Sequence, residues 1–132
     1  MSLCRVDPNL ANAVWSPNGC IRWVDWEYSG WGDPALELVE IRWHASFENL
    51  GDAQHTWLRI NYQPCEDDHD FQARVTAWDH LLAVRWPLLI ARWLWSEQNG
   101  ANRERLNHLQ VDQSGQRARL ENYLARAEAL YS

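Results

Sequence analysis

A chain of 132 residues with 46% hydrophobic and 12% aromatic content can bury a core, which excludes general disorder. The formal net charge of −6 and the lack of any Lys argue against a nucleic-acid groove, because such grooves need clustered basic side chains. Neither a membrane span nor a disulfide framework is indicated, since no apolar run approaches roughly 18 residues and Cys4, Cys20 and Cys65 form no pairwise or Cys-x-x-Cys pattern, so we expect a cytoplasmic protein.

A β-hairpin is the first predicted element. The stretches Ala13 to Trp15 and Cys20 to Asp25 are rich in β-branched and aromatic residues, which favour strands. Between them stand the turn formers Ser16-Pro17-Asn18-Gly19. The pattern therefore predicts two short antiparallel strands joined by a tight turn.

The pairing register of this hairpin decides whether two oxygen-bearing side chains meet. If Trp15 pairs with Cys20, Asn12 and Asp25 become diagonal neighbours on one face, roughly 7 to 8 Å apart. Across such a gap both side chains can reach one Mg²⁺, whose ligands lie at about 2.0 to 2.1 Å. A slip of one residue would place them on opposite faces.

Asp7, Asn12 and Asp25 together have the spacing of a phosphoryl-transfer site. An Asp, an Asn five residues later and a second Asp after a hairpin are how kinase-like enzymes hold a hydroxyl and Mg²⁺ beside a nucleotide. Asp7 lies in a loop that Pro8 keeps out of a helix, where it can accept the proton of a substrate hydroxyl. The alternative is that Asp7 and Asn12 are ordinary turn formers. A carboxylate ending an apolar strand, as Asp25 does, needs solvent, a partner or a cation.

These motifs resemble the catalytic core of the aminoglycoside phosphotransferase and choline kinase-like superfamily, relatives of the protein kinases. In that family a His-Gly-Asp-x-x-x-x-Asn loop precedes a hairpin, which is followed by Ile/Val-Asp-Trp/Phe-Glu and then by Gly-x-Gly-Asp-Pro. The matching segments here are Arg5-Val6-Asp7 with Asn12, Val24-Asp25-Trp26-Glu27, and Gly30-Trp31-Gly32-Asp33-Pro34. The set covers about the first quarter of the chain, and the helical remainder is compatible in pattern only.

By position, the resemblance implies that Asp7 is the catalytic residue and that Asn12 and Asp25 are the metal ligands. It implies a supporting role for Asp33, which also reads as a helix N-cap. Glu27 is a further supporting candidate, and whether it lies next to the metal or is simply solvated stays open.

The implied activity is that of an ATP- or GTP-dependent O-phosphotransferase, which uses Mg²⁺ to move a γ-phosphoryl group to the hydroxyl of a small molecule. A cationic acceptor suits the negative charge of the chain, and aminoglycosides, choline and thiamine all stay open. The implied fold is mainly α with a short β-hairpin, as part of the C-terminal lobe of a protein kinase-like α+β fold. Within one domain, residues 1–34 would carry the catalytic loop and hairpin, and residues 35–132 a helical subdomain.

The sequence departs from the family in two respects. Arg5 and Val6 stand where the family usually has a supporting His and a Gly, which puts the geometry of the loop in question. The chain also has no Lys and no Gly-rich phosphate loop, so we expect the N-terminal lobe to lie elsewhere and this C-lobe fragment to be inactive alone. The start at Met1-Ser2-Leu3 suits a truncated gene or an engineered boundary, and a natural remnant is the alternative.

Helices are predicted after the motif region. The first begins at Pro34, with Asp33 as its N-cap. Apolar periodicity predicts further helices at Ala53 to Tyr62, after the acidic run Glu66 to Asp70, at Asn102 to Leu109 and at Gln116 to Tyr131. Pro87 should kink or divide the longest of them, because it removes a backbone donor.

Six more residues are candidates for contacting a substrate: Trp26, Trp31, Glu66, Asp67, Asp68 and Asp70. The acidic cluster suits a cationic substrate, although acidic residues before a helix are also stabilised by its exposed N–H groups. Most of the ten Trp residues are assigned to the core, and the two named here are the better candidates for lining a site.

Two other functions stay open at this point. Uncovered Trp-rich surface favours a non-catalytic interaction module that binds another chain or forms a homo-oligomer. A metal-dependent phosphoesterase would instead use Asp7, Asp25, Glu27 and Asp33 to hold two closely spaced metals, and it would hydrolyse without a nucleotide.

Overall fold

The computed structural model describes residues 2–62, 67–99 and 113–132 of the protein. It is mainly helical, and the described residues form two small antiparallel sheets, so the predicted class of mainly α with a short hairpin is confirmed. The strands are β1 (Ser2–Cys4), β2 (Ala13–Trp15), β3 (Ile21–Trp23) and β4 (Gly30–Gly32). The helices are α1 (Pro34–Trp43), α2 (Asp52–Asn61), α3 (Phe71–Gln98) and α4 (Gln113–Tyr131), with 3-10 turns at Leu10–Asn12 and Ala45–Phe47.

The predicted hairpin forms from β2 and β3, but its register differs from the predicted one by one residue. Trp15 pairs with Ile21 rather than with Cys20. The reason is the turn: Gly19 N–H donates to the Ser16 carbonyl at 3.0 Å and Gly19 has φ 81°. A tight turn followed by a left-handed Gly forms a three-residue loop with a bulge, so Ser16 faces Cys20 and each later pair moves by one position.

The second sheet was not predicted from the sequence. β1 pairs antiparallel with β4, so that Leu3 lies opposite Trp31 and Cys4 lies opposite Gly30. Cys4 is buried, and a Cβ on the neighbouring Gly32 would already be in van der Waals contact with its side chain. This pairing joins the start of the chain to the segment just before α1, and the loop that contains Asp7 and the hairpin both lie between the two strands in sequence.

The predicted helices are observed wherever the structure describes them. α1 begins at Pro34, and α2 and α4 begin one and three residues before their predicted starts. α3 continues through Pro87, so the predicted division of this helix is wrong and the predicted kink stays a prediction. The predicted helix at Asn102 to Leu109 lies outside the described residues.

The chain divides into two compact units, residues 1–79 and 80–132, and α3 begins in the first and ends in the second. The first unit contains every candidate site residue, and its core consists of Cys4, Ala35, Leu38, Val39, Trp43, Phe71 and Val75. The buried apolar residues of the second unit are Leu82, Ala83, Ile90, Leu94 and Tyr123. In that unit the ring of Tyr123 stacks on Trp86, with centroids 6.0 Å apart. None of the described helices combines the length and the apolar character that a bilayer crossing requires.

Candidate functional site

Two residues of the candidate site have a left-handed backbone. Val6 has φ 67° and Asp25 has φ 61°, and no other non-glycine residue in the described ranges has a positive φ. This conformation costs an L-residue roughly 1 to 2 kcal/mol and is especially rare for a β-branched one. Such strain clusters at active sites and ligand-binding loops, where surrounding contacts impose it. These are the positions at which the motif predicts the residue before the catalytic Asp and a metal ligand.

The loop from Arg5 to Asn9 holds the carboxylate of Asp7. The Asp7 N–H donates to the Arg5 carbonyl at 2.8 Å, which closes a three-residue turn around Val6. With a positive φ at its centre, this γ-turn is the rare and strained form. Asp7 Oδ1 accepts the N–H of Asn9 at 3.0 Å. In the family that the motif resembles, Gly occupies the Val6 position, and Gly adopts a positive φ without steric cost.

Glycine at position 6 should therefore relieve strain. We expect Val6→Gly to unfold with a free energy about 1 kcal/mol higher than Val6→Ala, because only Ala keeps the Cβ that strains the turn. Chemical denaturation of the two variants measures this difference. A Val6→Ala variant as stable as Val6→Gly would contradict the strained turn.

His44 faces the same carboxylate from the end of α1. Its Nδ1 accepts the N–H of Ser46 at 3.1 Å, so the proton of the neutral ring lies on Nε2. Nε2 lies 3.9 Å from Asp7 Oδ1. Sequence reasoning missed His44 because nothing near Asp7 in the sequence points to it.

The structure changes the predicted relation between Asn12 and Asp25. Asn12 ends a 3-10 turn, and its carbonyl accepts the N–H of Val24 at 2.9 Å. Asn12 therefore lies opposite Val24, and the prediction that the hairpin makes Asn12 and Asp25 diagonal neighbours is wrong. Asp25 follows the end of β3, and its positive φ interrupts the alternation of the strand. The alternation of side chains along the hairpin therefore does not determine the direction of the Asp25 carboxylate.

The exposed Tyr28 interacts with the neighbouring Glu27. The charge of Glu27 and a hydrogen bond with it raise the pKa of Tyr28, with smaller contributions from burial, Asp25 and Asp7. Tyr28 was missed because it falls between the two family motifs.

The four carboxylates of the phosphoesterase alternative do not assemble. Asp7, Asp25, Glu27 and Asp33 all belong to the described ranges, and within those ranges no three Asp, Glu, His or Cys side chains are placed to hold a metal ion. A kinase-like site differs in its needs, because one Asn, one Asp, water and nucleotide phosphates complete the Mg²⁺ shell there.

Asp33 connects three parts of the first unit. Its Oδ1 accepts the N–H of Ala35 at 3.0 Å, which is the predicted N-cap, and Oδ2 accepts the indole N–H of Trp78 at 2.9 Å. The guanidinium of Arg74 donates to the same oxygen at 3.1 Å. Partial burial raises the pKa of Asp33, but these hydrogen bonds outweigh it and hold the pKa below its usual value. Asp33 therefore positions the strand–helix junction behind the candidate loop.

The acidic cluster is partly neutralised by this same arginine. Arg74 donates to both oxygens of Asp68, at 2.8 and 2.6 Å. These hydrogen bonds lower the pKa of Asp68, and they occupy a carboxylate that the sequence assigned to a substrate. Asp67 and Asp70 are exposed, and Glu66 lies outside the described residues.

The aromatic and basic candidates differ in their surroundings. Trp31 is 75% exposed in β4, whereas Trp26 is half-exposed and its indole N–H donates to the Trp23 carbonyl at 2.9 Å. Arg5 is buried, with its N–H donating to Glu37 Oε1 at 3.0 Å and its guanidinium 4.0 Å from the centre of the Trp23 ring. Arg5 thus connects the end of β1 with β3 and α1.

No protein-family model, curated protein or solved structure matched this chain. The kinase-like interpretation therefore depends on the residues, their spacing and the backbone geometry described above.

Proposed function

We propose that this chain is the C-lobe part of a cytoplasmic, ATP- or GTP-dependent small-molecule O-phosphotransferase. One observation carries the proposal: among the described residues, the two non-glycine positions with a left-handed backbone coincide with the Gly position before the catalytic Asp and with the metal-binding Asp. Local strain of this kind is retained where function requires it.

In this proposal Asp7 accepts the proton of the acceptor hydroxyl while that oxygen forms a bond to the γ-phosphorus and the bond to the β-phosphate oxygen breaks. The γ-turn and the Asn9 N–H hold Asp7 in place, because both hydrogen bonds involve residues of the loop itself. In the family that the motif resembles, a His lies within this loop, and Arg5 occupies its position here. His44 instead brings an imidazole to Asp7 from the end of α1.

Asn12 and Asp25 would hold Mg²⁺, which neutralises the charge of the nucleotide phosphates when it is bound. Asp25 and Glu27 are acidic and lie two residues apart in the chain, which suits both a divalent cation and a cationic acceptor. The groups that normally hold the phosphates, a Lys and a Gly-rich loop, are not among the 132 residues. Another segment or chain would have to supply them, so we propose that the isolated chain does not turn over.

Titration of the purified chain with ATP and GTP tests the proposal. We expect nucleotide binding that requires Mg²⁺, and an Asp25→Asn variant that binds about tenfold or more weakly, because it loses a charged ligand. Asp52→Asn is the matched control, since it removes the same charge from an exposed position outside the motif and outside the candidate substrate residues. Nucleotide binding that is independent of Mg²⁺ would contradict the site. An equal loss of nucleotide affinity in the control variant would also contradict it. Rapid phosphoryl transfer by the chain alone would contradict the fragment assignment.

An interaction module is the second candidate, and the hairpin favours it. Val14, Trp15, Ile21 and Trp23 all belong to the paired strands and are all exposed, which is unusual for apolar side chains of a small sheet. This module would bind another chain or a second copy through these residues. A sedimentation coefficient that is independent of concentration, together with Mg²⁺-dependent nucleotide binding, would favour the first candidate.

A further inference from the structure

A cavity of about 390 Å³ lies in the first unit, beside the candidate site. Its size is within the range of pockets that bind small molecules. Most of its wall is apolar or aromatic, and two charged residues contribute to it; the lining comprises Leu3, Arg5, Pro8, Leu10, Trp23, Trp26, Glu37, Ile41, Phe47, Leu58 and Tyr62. Asp7, Asn12 and Asp25 do not line it, so the cavity is separate from the proposed phosphoryl-transfer site.

Arg5 is the unusual member of this wall. It is only 7% exposed, and its Nε and Nη2 atoms are buried without a hydrogen-bond partner among the described residues. A guanidinium remains charged in a protein, and a buried charge without a partner is unfavourable. The unpaired donors therefore indicate that something outside the described residues accepts from them.

The neighbours of Arg5 make other contacts and leave these donors without an acceptor. The two oxygens of Glu37 are engaged, one by the backbone N–H of Arg5 at 3.0 Å and the other by the Tyr62 hydroxyl at 3.1 Å. The Trp23 ring covers a face of the guanidinium through a cation–π contact at 4.0 Å. Neither contact uses the edge that carries Nε and Nη2.

That edge defines the chemistry of the missing partner. Nε–H and one Nη2–H point in parallel from the same side of a guanidinium, and two parallel donors match the two oxygens of a carboxylate. A dianionic phosphate suits the cavity less well, because Glu37 also belongs to the wall. The remaining apolar and aromatic surface matches a hydrophobic body attached to the anionic group.

We propose that this cavity binds a small monocarboxylate with an apolar body, whose carboxylate pairs with Arg5 and whose body packs against the aromatic wall. The ligand would contact Pro8, next to Asp7, and Trp26, next to Asp25. It would therefore bridge the two segments that carry the proposed catalytic residues. The inference does not depend on the proposed function, because none of those residues takes part in it.

Calorimetric titration with 3-phenylpropionate and with its neutral amide tests this site. We expect the wild type to bind the carboxylate about tenfold or more tightly than the amide, because only the carboxylate accepts both Arg5 donors. Arg5→Met should abolish this preference. Arg22→Met should retain it, since Arg22 is an exposed arginine of β3 that does not line the cavity.

A second variant addresses the apolar part of the cavity. Leu10→Trp adds bulk at the exposed edge of the wall and should weaken the binding of both probes. Arg5→Met should be no less stable than the wild type without ligand, because it replaces an unpaired buried charge by an apolar side chain.

Three results would overturn the proposal: no binding of the carboxylate to the wild type, equal binding of carboxylate and amide, or a preference that persists in Arg5→Met. ATP and GTP are titrated into the same variants as well. Failure of 3-phenylpropionate binding can then be distinguished from failure of nucleotide binding, which tests the phosphotransferase proposal.

Discussion

Replacing Asp79 by Ala is expected to lower the free energy of unfolding by about 3 kcal/mol, because it leaves a buried donor without an acceptor. Asp79 is 7% exposed, and its Oδ1 accepts the indole N–H of Trp43 at 2.6 Å. Trp43 is 1% exposed, so the donor that loses its acceptor is buried. The ion pair between Asp79 and Arg42 contributes less, since the arginine side chain is 40% exposed. Urea denaturation measures the loss.

Two further variants isolate the hydrogen bond. Trp43→Phe keeps most of the buried ring and removes the donor, so we expect it to cost about 1 to 2 kcal/mol. The double variant with Asp79→Ala should cost less than the two single variants together, because they share one interaction. Asp67→Ala, at an exposed position, should stay within about 0.5 kcal/mol of the wild type. Strict additivity of Trp43→Phe and Asp79→Ala would show that no such hydrogen bond stabilises the protein.

The second large effect is expected at Asp33, whose replacement by Ala should cost about 2 kcal/mol. Loss of the N-cap of α1 accounts for about 1 kcal/mol, and the unpaired indole N–H of Trp78 accounts for a similar amount. Asn at this position keeps an oxygen that can cap the helix, so Asp33→Asn should retain most of the stability. Thermal and urea unfolding of the three proteins provide the comparison.

Lowering the pH should distinguish two contributions of Asp33 to the free energy of unfolding, that of its negative charge and that of its N-cap hydrogen bond. Its folded-state pKa lies below the ordinary value of about 3.9, because hydrogen bonds to the carboxylate outweigh the effect of burial. A carboxyl with a lowered folded-state pKa stabilises the protein above its ordinary pKa, and this stabilisation is lost as the pH falls through the folded-state value.

We therefore expect the stability advantage of the wild type over Asp33→Asn to shrink over the interval below about pH 4. Denaturation curves recorded at several pH values test this trend. An advantage that stays constant over this interval would mean that the charge of Asp33 does not contribute.

The short-range features of the fold were predictable from neighbouring residues. Asp33 and Pro34 are adjacent, so an N-cap and a first-turn proline indicate the start of α1 without any distant contact. The turn residues Ser16 to Gly19 likewise indicate the hairpin. Its register was not predicted, because it depends on whether Gly19 becomes part of a bulged three-residue loop.

The long-range features were not predictable in this way. β1 pairs with β4 because Cys4 is buried next to Gly32, and three residues at the start of a chain show no period that announces a strand. Arg74 could have paired with any of several nearby carboxylates, and only a contact between α3 and the start of α1 brings it to Asp33 as well.

In the candidate site, too, some features follow from the sequence and others depend on long-range contacts. Asp7, Asn12 and Asp25 were chosen as candidates from the sequence because phosphoryl transfer uses those side-chain types at that spacing. His44 and the unpaired edge of Arg5 were not recognised, because contacts with α1 and β3 create their environments.

The sequence by itself determined the helices, the hairpin and the motif, because capping, turn formation and apolar period act over a few neighbouring residues. Only the tertiary structure decided the strand register, the left-handed backbone at Val6 and Asp25, and the burial of Arg5. These properties depend on contacts between residues that are distant in the chain, and backbone strain or a buried charge persists only where such contacts impose it.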